Sequence, residues 1–320
     1  LNILFFGSSE ISVPFLEEIN RSRHKISSVV TTTDKHAGRG RKVTPNVVKT
    51  RALELGEGLI QVEKFDEGFY SKFKKLNFDT VLLISFGKII PAKMFGLKPA
   101  VWLNVHPSLL PKYRGPTPVM STLLNGDETG GVSILEVVPE VDAGPIYAQV
   151  SFKVEVSDNR DSLERKSTVF GKSLLMAVLD LIEEDLLKPY PQDENGVVYC
   201  SKIKKEDLKV NWENTAREIV NKIRAFSSKP GAYCLWKGIR IKLLKAQILS
   251  GDEKSMYLNG IKSGGRNGLV AKADKKTGIL IKCSKNDLIR IEKLQPQGKK
   301  EMSSVDFING YRLKTGENFE

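Results

Sequence analysis

Two runs decide most of what this chain can become: Ile3-Leu4-Phe5-Phe6 near its start, and Val81-Leu82-Leu83-Ile84 further on. Neither alternates with polar residues. A strand that is apolar at every position needs cover on both faces, and a parallel sheet flanked by helices supplies it. The surrounding pattern agrees. Asn2–Phe6, Lys25–Thr31, Thr80–Ser85, Trp102–Val105 and Val132–Val138 have strand character. Between them, Ser8 or Ser9 can cap a helix through about Ile19, and Pro45–Leu55 suits another. A long helix is expected over Asp161–Glu184, where Leu174-Leu175, Val178-Leu179 and Leu181-Ile182 recur on one side. The expectation is an α/β fold with an N-terminal Rossmann-like, mainly parallel sheet. Gly7-Ser8-Ser9 after the first strand lacks the G-x-G-x-x-G spacing that wraps a pyrophosphate, which argues against a dinucleotide-binding dehydrogenase.

The pattern changes after the polar, turn-rich stretch Lys188-Pro189-Tyr190-Pro191-Gln192-Asp193-Glu194-Asn195-Gly196. A connector over about 188–208 is expected to separate a catalytic domain, 1–200, from a C-terminal domain, 201–320. Thr215–Phe226 suits a short helix. Tyr233–Trp236, Ile239–Ala246, Gly268–Lys272 and Gly278–Ile281 suit short strands, together suggesting an OB-like β-barrel. Charge divides at the same place. Residues 1–200 hold 24 Lys+Arg against 25 Asp+Glu, whereas residues 201–320 hold 26 against 13. The net +12 of the chain therefore belongs to its C-terminal third. Such a surface suits a polyanion, where phosphate contacts release counterions; a lysine-rich solvated surface is the competing reading.

The remaining composition excludes several classes. Cys200, Cys234 and Cys283 form no CxxC pair, so neither a disulfide framework nor a cysteine-rich zinc site is expected, and a cytoplasmic setting is. No apolar run reaches the roughly 18 residues of a membrane span. The opening strand has no basic region before it and does not resemble a signal peptide. It also lacks an initial methionine, which leaves a processed N-terminus open. His24 and His36 have no spaced ligand partners, and no P-loop, HExxH or GxSxG occurs.

Three stretches could carry chemistry. In Asn104-Val105-His106, alternation along a strand projects Asn104 and His106 to one side. They stand at a strand's carboxyl end, where open α/β sheets bind ligands, and Pro107 then ends the regular pairing. An amide can donate to a developing oxyanion while an imidazole moves a proton. A histidine satisfied by a backbone carbonyl is the bland alternative. Asp142, in Pro139-Glu140-Val141-Asp142-Ala143-Gly144-Pro145, is either a turn former or a carboxylate brought to that imidazole. Finally, Lys35–Arg51 carries Lys35, Arg39, Arg41, Lys42, Lys49 and Arg51 with no acid among them. It is either a flexible loop that closes on phosphates or a solvated one.

Together these motifs resemble a known family. "NVHPSLLPKYRGPTPV" with "VDAGPIY" is similar to the formyltetrahydrofolate-using transferases, and "TDKHAGRGRKVTPNVVK" resembles the methionyl-tRNA formyltransferases among them. "SFGKIIP", "KVNW", "IRAF" and "LQPQGKKEM" follow in the order that family has, so the resemblance covers nearly the whole chain. It implies formyl transfer from 10-formyltetrahydrofolate, without a metal, to the α-amine of methionyl initiator tRNA. The family's catalytic asparagine, histidine and aspartate match Asn104, His106 and Asp142. Its folate loop matches Ser108, Leu109, Leu110 and Pro111, with Phe86, Gly87, Ile89, Ile90, Glu140 and Val141 expected around the pterin. Its tRNA-approaching insertion matches about Asp34–Lys49, which assigns tRNA contact to Lys35, Arg39, Arg41 and Lys42; Lys202 is carried over from the connector. A monomer is expected.

The chain departs from the family pattern at Ser9 and at His36, where proline is common, and at Ala143-Gly144; none touches the three catalytic positions. The alternatives are a sugar-nucleotide formyltransferase, a formyltetrahydrofolate hydrolase, or a non-catalytic RNA-binding protein on the same scaffold. The first two have little use for the basic loop or so basic a C-terminal third. The last has no need of Asn104, His106 and Asp142 together.

Overall fold

A computed structural model describes residues 1–37, 42–227, 229–258 and 266–320. They form two compact units, one of Leu1–Pro118, Thr129–Phe152 and Glu164–Cys200, the other of Val119–Glu128, Lys153–Leu163 and Ser201–Glu320.

In chain order the first elements are β1 (Asn2–Gly7), α1 (Val13–Asn20), β2 (Lys25–Thr32), β3 (Lys35–Ala37) and β4 (Lys42–Thr44). Next come α2 (Val47–Glu54), β5 (Leu59–Val62), α3 (Glu67–Lys75), β6 (Thr80–Ile84), β7 (Val101–His106) and β8 (Lys112–Arg114). They are followed by α4 (Pro118–Asn125), β9 (Thr129–Glu136), β10 (Ile146–Lys153), α5 (Arg160–Glu183) and β11 (Val198–Tyr199). The main sheet of the first unit has the order β10-β9-β7-β6-β1-β2-β5. Its strands β5, β2, β1, β6 and β7 are parallel, and β9 runs antiparallel to β7. Leu4, Phe5, Phe6, Val81 and Leu82 are fully buried, as apolar runs covered on both faces require. Phe6, Phe73, Phe86 and Trp102 form the aromatic heart of one face; Phe73 stacks on Trp102 with centroids 6.0 Å apart. Each such ring contributes about 1.5–3 kcal/mol by leaving water.

Strand order reverses between β1 and β6, which makes the gap beyond their carboxyl ends the switch point where this architecture binds ligands. Serines knit that gap. Ser8 Oγ donates to the Ser85 carbonyl (3.1 Å) and accepts from Gly87 N–H (2.9 Å), while Ser9 Oγ donates to Ser85 Oγ (2.7 Å).

The described parts of the segment read as a flexible basic loop carry regular structure, and two of its cations are engaged. Strand β3 pairs antiparallel with β4, and α2 follows, capped by Asn46, whose side chain accepts from Val48 N–H at 2.9 Å. Asp34 fastens the base of this excursion. It accepts from the Asn46 backbone (3.1 Å), from Lys49 (2.6 Å) and from Gln61 (3.1 Å), and the Lys49 hydrogen bond holds its carboxyl below the usual range. Arg51 is also engaged, by Glu17 and Glu54 at 2.8 Å each. Lys49 and Arg51 are thus neutralised by acids outside the Lys35–Arg51 window. Arg39 and Arg41 lie outside the described residues, as do the side chains of Lys35 and Lys42.

The second unit contains α6 (Ala216–Ala225), β12 (Ala232–Trp236), β13 (Ile239–Ile248), α7 (Gly251–Leu258), β14 (Val270–Asp274), β15 (Gly278–Lys282), β16 (Leu288–Pro296), β17 (Met302–Ser303) and α8 (Ser304–Tyr311). Its antiparallel sheet has the order β12-β13-β16-β15-β14, with β17 added to β16. Thr215 and Glu218 form a capping box on α6, which buries Ile219 and Ile223. Phe307 of α8 stacks on Tyr311 and meets Trp236 edge-on. The cysteines are all buried and unpaired. Burial pushes the Cys283 thiol up to about 12, so it is a packing residue at neutral pH. Among the described residues, no helix is long and apolar enough to cross a membrane.

Candidate active site

Strand β7 carries Asn104 and His106 to its carboxyl end, with His106 buried and Asn104 partly open. Their common partner arrives from the loop after β9. Asn104 Nδ2 donates to Asp142 Oδ1 at 3.2 Å, and His106 Nδ1 stands 3.6 Å from Asp142 Oδ2. The loop returns tightly enough for Glu136 N–H to donate to the Pro145 carbonyl at 2.9 Å. Gly144 makes that return possible, since a Cβ there would sit 1.8 Å from the Glu136 carbonyl oxygen. Asp142 itself has φ +53°, a left-handed conformation that aspartate tolerates better than most residues. Asn104, His106 and Asp142, placed together by family resemblance, are therefore within reach of one another in space.

The two ring nitrogens of His106 face different partners, one a backbone carbonyl and the other the Asp142 carboxylate. Nε2 lies 2.9 Å from the Tyr113 carbonyl, an acceptor only, so Nε2 carries a hydrogen in either protonation state. Nδ1 is then the nitrogen that gains and loses the second proton, and it faces the carboxylate. The anchoring carbonyl is held in place: Tyr113 has φ +64°, unusual for a bulky residue, and its carbonyl also accepts from Cys200 Sγ at 3.5 Å. We expect 15N NMR of the neutral ring to show Nε2 protonated and Nδ1 bare. The opposite tautomer would remove Nδ1 from any proton transfer.

Asp142 Oδ2 also accepts from Gly115 N–H at 2.9 Å, so each carboxylate oxygen holds a donor and the side chain is fixed in orientation. Asn104 spends one amide hydrogen on Asp142; its second has no acceptor among the described residues. A buried imidazole, a fixed carboxylate and an uncommitted amide N–H make a unit that can stabilise an oxyanion and relay a proton.

The other candidates divide. Ser108 is buried and donates to the Lys112 carbonyl (2.7 Å), closing its own loop. Leu110 packs with Leu135 and Ile146. Leu109 lies against Gly131, where any Cβ would meet it at 2.3 Å. Gln149 ties the loop down, donating to the Leu110 carbonyl at 2.9 Å and to Ser133 Oγ at 2.8 Å. Pro111 is partly buried. The ring of Phe86 points into the core, 5.2 Å from Phe6, and Ile90 packs beside that core. Gly87 and Glu140 are exposed, as are Ile89 (87%) and Val141 (61%), leaving apolar surface beside the switch point and beside Asp142. Lys202 is exposed in the second unit. The contributions of Tyr113 and Gly115 were not legible, because both act through backbone atoms that residue type does not announce.

Residues 1–179 match the formyl transferase family and residues 202–312 match the formyl transferase C-terminal domain. The methionyl-tRNA formyltransferase of Dictyoglomus thermophilum is 37% identical over 322 residues, covering 100% of both chains. That of Thermodesulfovibrio yellowstonii is 35% identical over 98% of this chain and 97% of its own. Among solved structures, the fold is similar to WlaRD, a sugar 3N-formyl transferase determined in the presence of dTDP and 5-N-formyl-THF. The TM-score is 0.66 at 20% identity, over 94% of this chain and 99% of that one. With relatives of this identity aligned from end to end, the chain belongs to the methionyl-tRNA formyltransferase family.

Proposed function

We propose that this protein transfers the formyl group of 10-formyltetrahydrofolate to the α-amine of methionyl initiator tRNA. The observation that carries the reading is the convergence of Asn104, His106 and Asp142 at the carboxyl end of β7, in a chain of this family. Folate presents the formyl carbon as the electrophile. The second N–H of Asn104 donates to the oxyanion that develops as the amine attacks, in surroundings where such a donor is worth far more than in water. His106 takes through Nδ1 the proton that the attacking amine loses and passes it to N10 of tetrahydrofolate as the bond from N10 to the formyl carbon breaks, and Asp142 steadies the ring while it is charged. Exposed Ile89 and Val141 offer apolar surface for a pterin to cover. No step requires a metal.

The second substrate is read from charge. Residues 201–320 carry a net +13, and the 35–51 excursion carries Arg39 and Arg41; an amino-sugar nucleotide needs neither. The deciding assay offers 10-formyltetrahydrofolate with charged initiator tRNA, elongator methionyl-tRNA or an amino-sugar nucleotide. Formylation of initiator methionyl-tRNA is expected; formylation of the amino sugar alone overturns the reading in favour of a sugar formyltransferase. Reversing charge at Arg39 and Arg41 is expected to weaken tRNA use and lower the salt slope by about one unit per lost phosphate contact. Unchanged kinetics would take the excursion out of the tRNA surface.

A further inference from the structure

The turn-rich stretch before β11 contains one residue that does not behave like a linker. Gln192 is buried while Pro191, Asp193 and Glu194 around it are exposed. Its amide is used at both ends. Nε2 donates to the Asp142 carbonyl at 2.8 Å and to the Gly144 carbonyl at 2.7 Å, and Oε1 accepts from Arg114 Nε at 3.0 Å. Arg114 is 2% exposed and directs the rest of its guanidinium to Glu194, with Nη2 at 2.8 Å and Nη1 at 3.4 Å. Burial opposes the Arg114 charge, but hydrogen bonds to Glu194 and Tyr199 outweigh it and hold the group above its ordinary range.

The two carbonyls bracket the turn that presents the Asp142 carboxylate. Asp142 takes a left-handed φ of +53°, a conformation its neighbours must select, and the two carbonyls held by Gln192 lie on either side of the next residue. The clamp asks one side chain for two donors and one acceptor at fixed spacing. A primary amide supplies all three; a carboxylate has no donor and a hydroxyl has one. We infer that Gln192 is a positioning residue for formyl transfer: it holds the Asp142 turn so that the carboxylate meets Asn104, His106 and Gly115, and the Arg114–Glu194 pair aligns it. The inference rests on the proposed role of Asp142.

The test measures kcat, both KM values and melting temperature for Gln192→Glu, Gln192→Met and Glu194→Ala, with 10-formyltetrahydrofolate and charged initiator tRNA. Glutamate keeps the shape and the link to Arg114 but loses both donors. Gln192→Glu and Gln192→Met are expected to lower kcat per folded molecule about 10- to 100-fold, the scale of a misplaced catalytic group, with KM within about twofold. Glu194→Ala, at an exposed site, is expected to lower kcat about threefold and keeps the inference testable should both Gln192 variants misfold. In an Asp142→Asn background, Gln192→Glu is expected to add little further loss, since the residue acts through Asp142. Near-wild-type kcat in Gln192→Glu, or losses that multiply fully with those of Asp142→Asn, would overturn the positioning role while leaving Asp142 catalytic. An active Asp142→Asn would instead sink the reading beneath it.

Discussion

Asp142→Asn is expected to lower single-turnover formyl transfer by about 10²–10⁴-fold, the range spanned by loss of acid–base assistance. Asparagine is the informative substitution because it tolerates the left-handed φ of +53° and nearly preserves volume. It cannot preserve the hydrogen bonds. Asp142 receives a donor at each oxygen, Asn104 Nδ2 at Oδ1 and Gly115 N–H at Oδ2. An amide has one acceptor, so whichever way it turns, its NH2 faces one of those donors. It also removes the charge that steadies His106 when Nδ1 is protonated. The loss should fall on kcat, because neither folate nor tRNA affinity is assigned to this carboxylate. Melting temperature should fall modestly, since one donor at this partly buried site is left facing another. A variant within threefold of wild type would mean that the carboxylate is a turn former, the bland reading of its sequence context.

How far the sequence could be read depended on whether side chains or backbone carried the information. β1 and β6 announce themselves because Leu4, Phe6, Val81 and Leu82 have no polar neighbours to alternate with. The pairing of Asn104 with His106 follows from strand alternation. Asp142 was harder, since its approach depends on a loop closure that Gly144 permits by having no side chain to collide with Glu136. β5, α3, β10 and β16 fall outside the stretches read as elements: Leu288–Pro296 interleaves charged and apolar residues, and the short helix Glu67–Lys75 shows its apolar face only through Phe69, Tyr70 and Phe73. The least legible contributors were Tyr113, which gives a carbonyl, and Gly115, which gives an N–H. Gln192 was hidden by turn-forming neighbours. Its burial is a property of the fold rather than of its type, and glutamines are mostly exposed. For the basic segment, composition over-counted free charge, because Lys49 and Arg51 are matched by Asp34, Glu17 and Glu54.

Gly115→Ala should be among the most damaging single-methyl additions to this protein. Gly115 has φ +122°, outside the region that residues with a Cβ occupy comfortably, and a Cβ built there lies 2.3 Å from the Cys200 carbonyl oxygen. Strain of this kind costs about 1–3 kcal/mol before any collision is counted. Relief requires moving either Gly115 or the chain at Cys200, whose N–H donates to the Arg114 carbonyl at 2.8 Å beside the β8–β11 pairing. A loss of about 3 kcal/mol or more is expected, read as a lower melting temperature and as faster hydrogen exchange at the Val198 and Cys200 amides. Because the nearest atom is backbone, trimming the thiol with Cys200→Ala should not rescue the variant; rescue would assign the conflict to Sγ, 3.3 Å away. The same shift draws Gly115 N–H from Asp142 Oδ2, so activity per folded molecule should fall as well. Wild-type melting together with wild-type kcat would show that the backbone here can yield. Gly115 would then be a turn residue only.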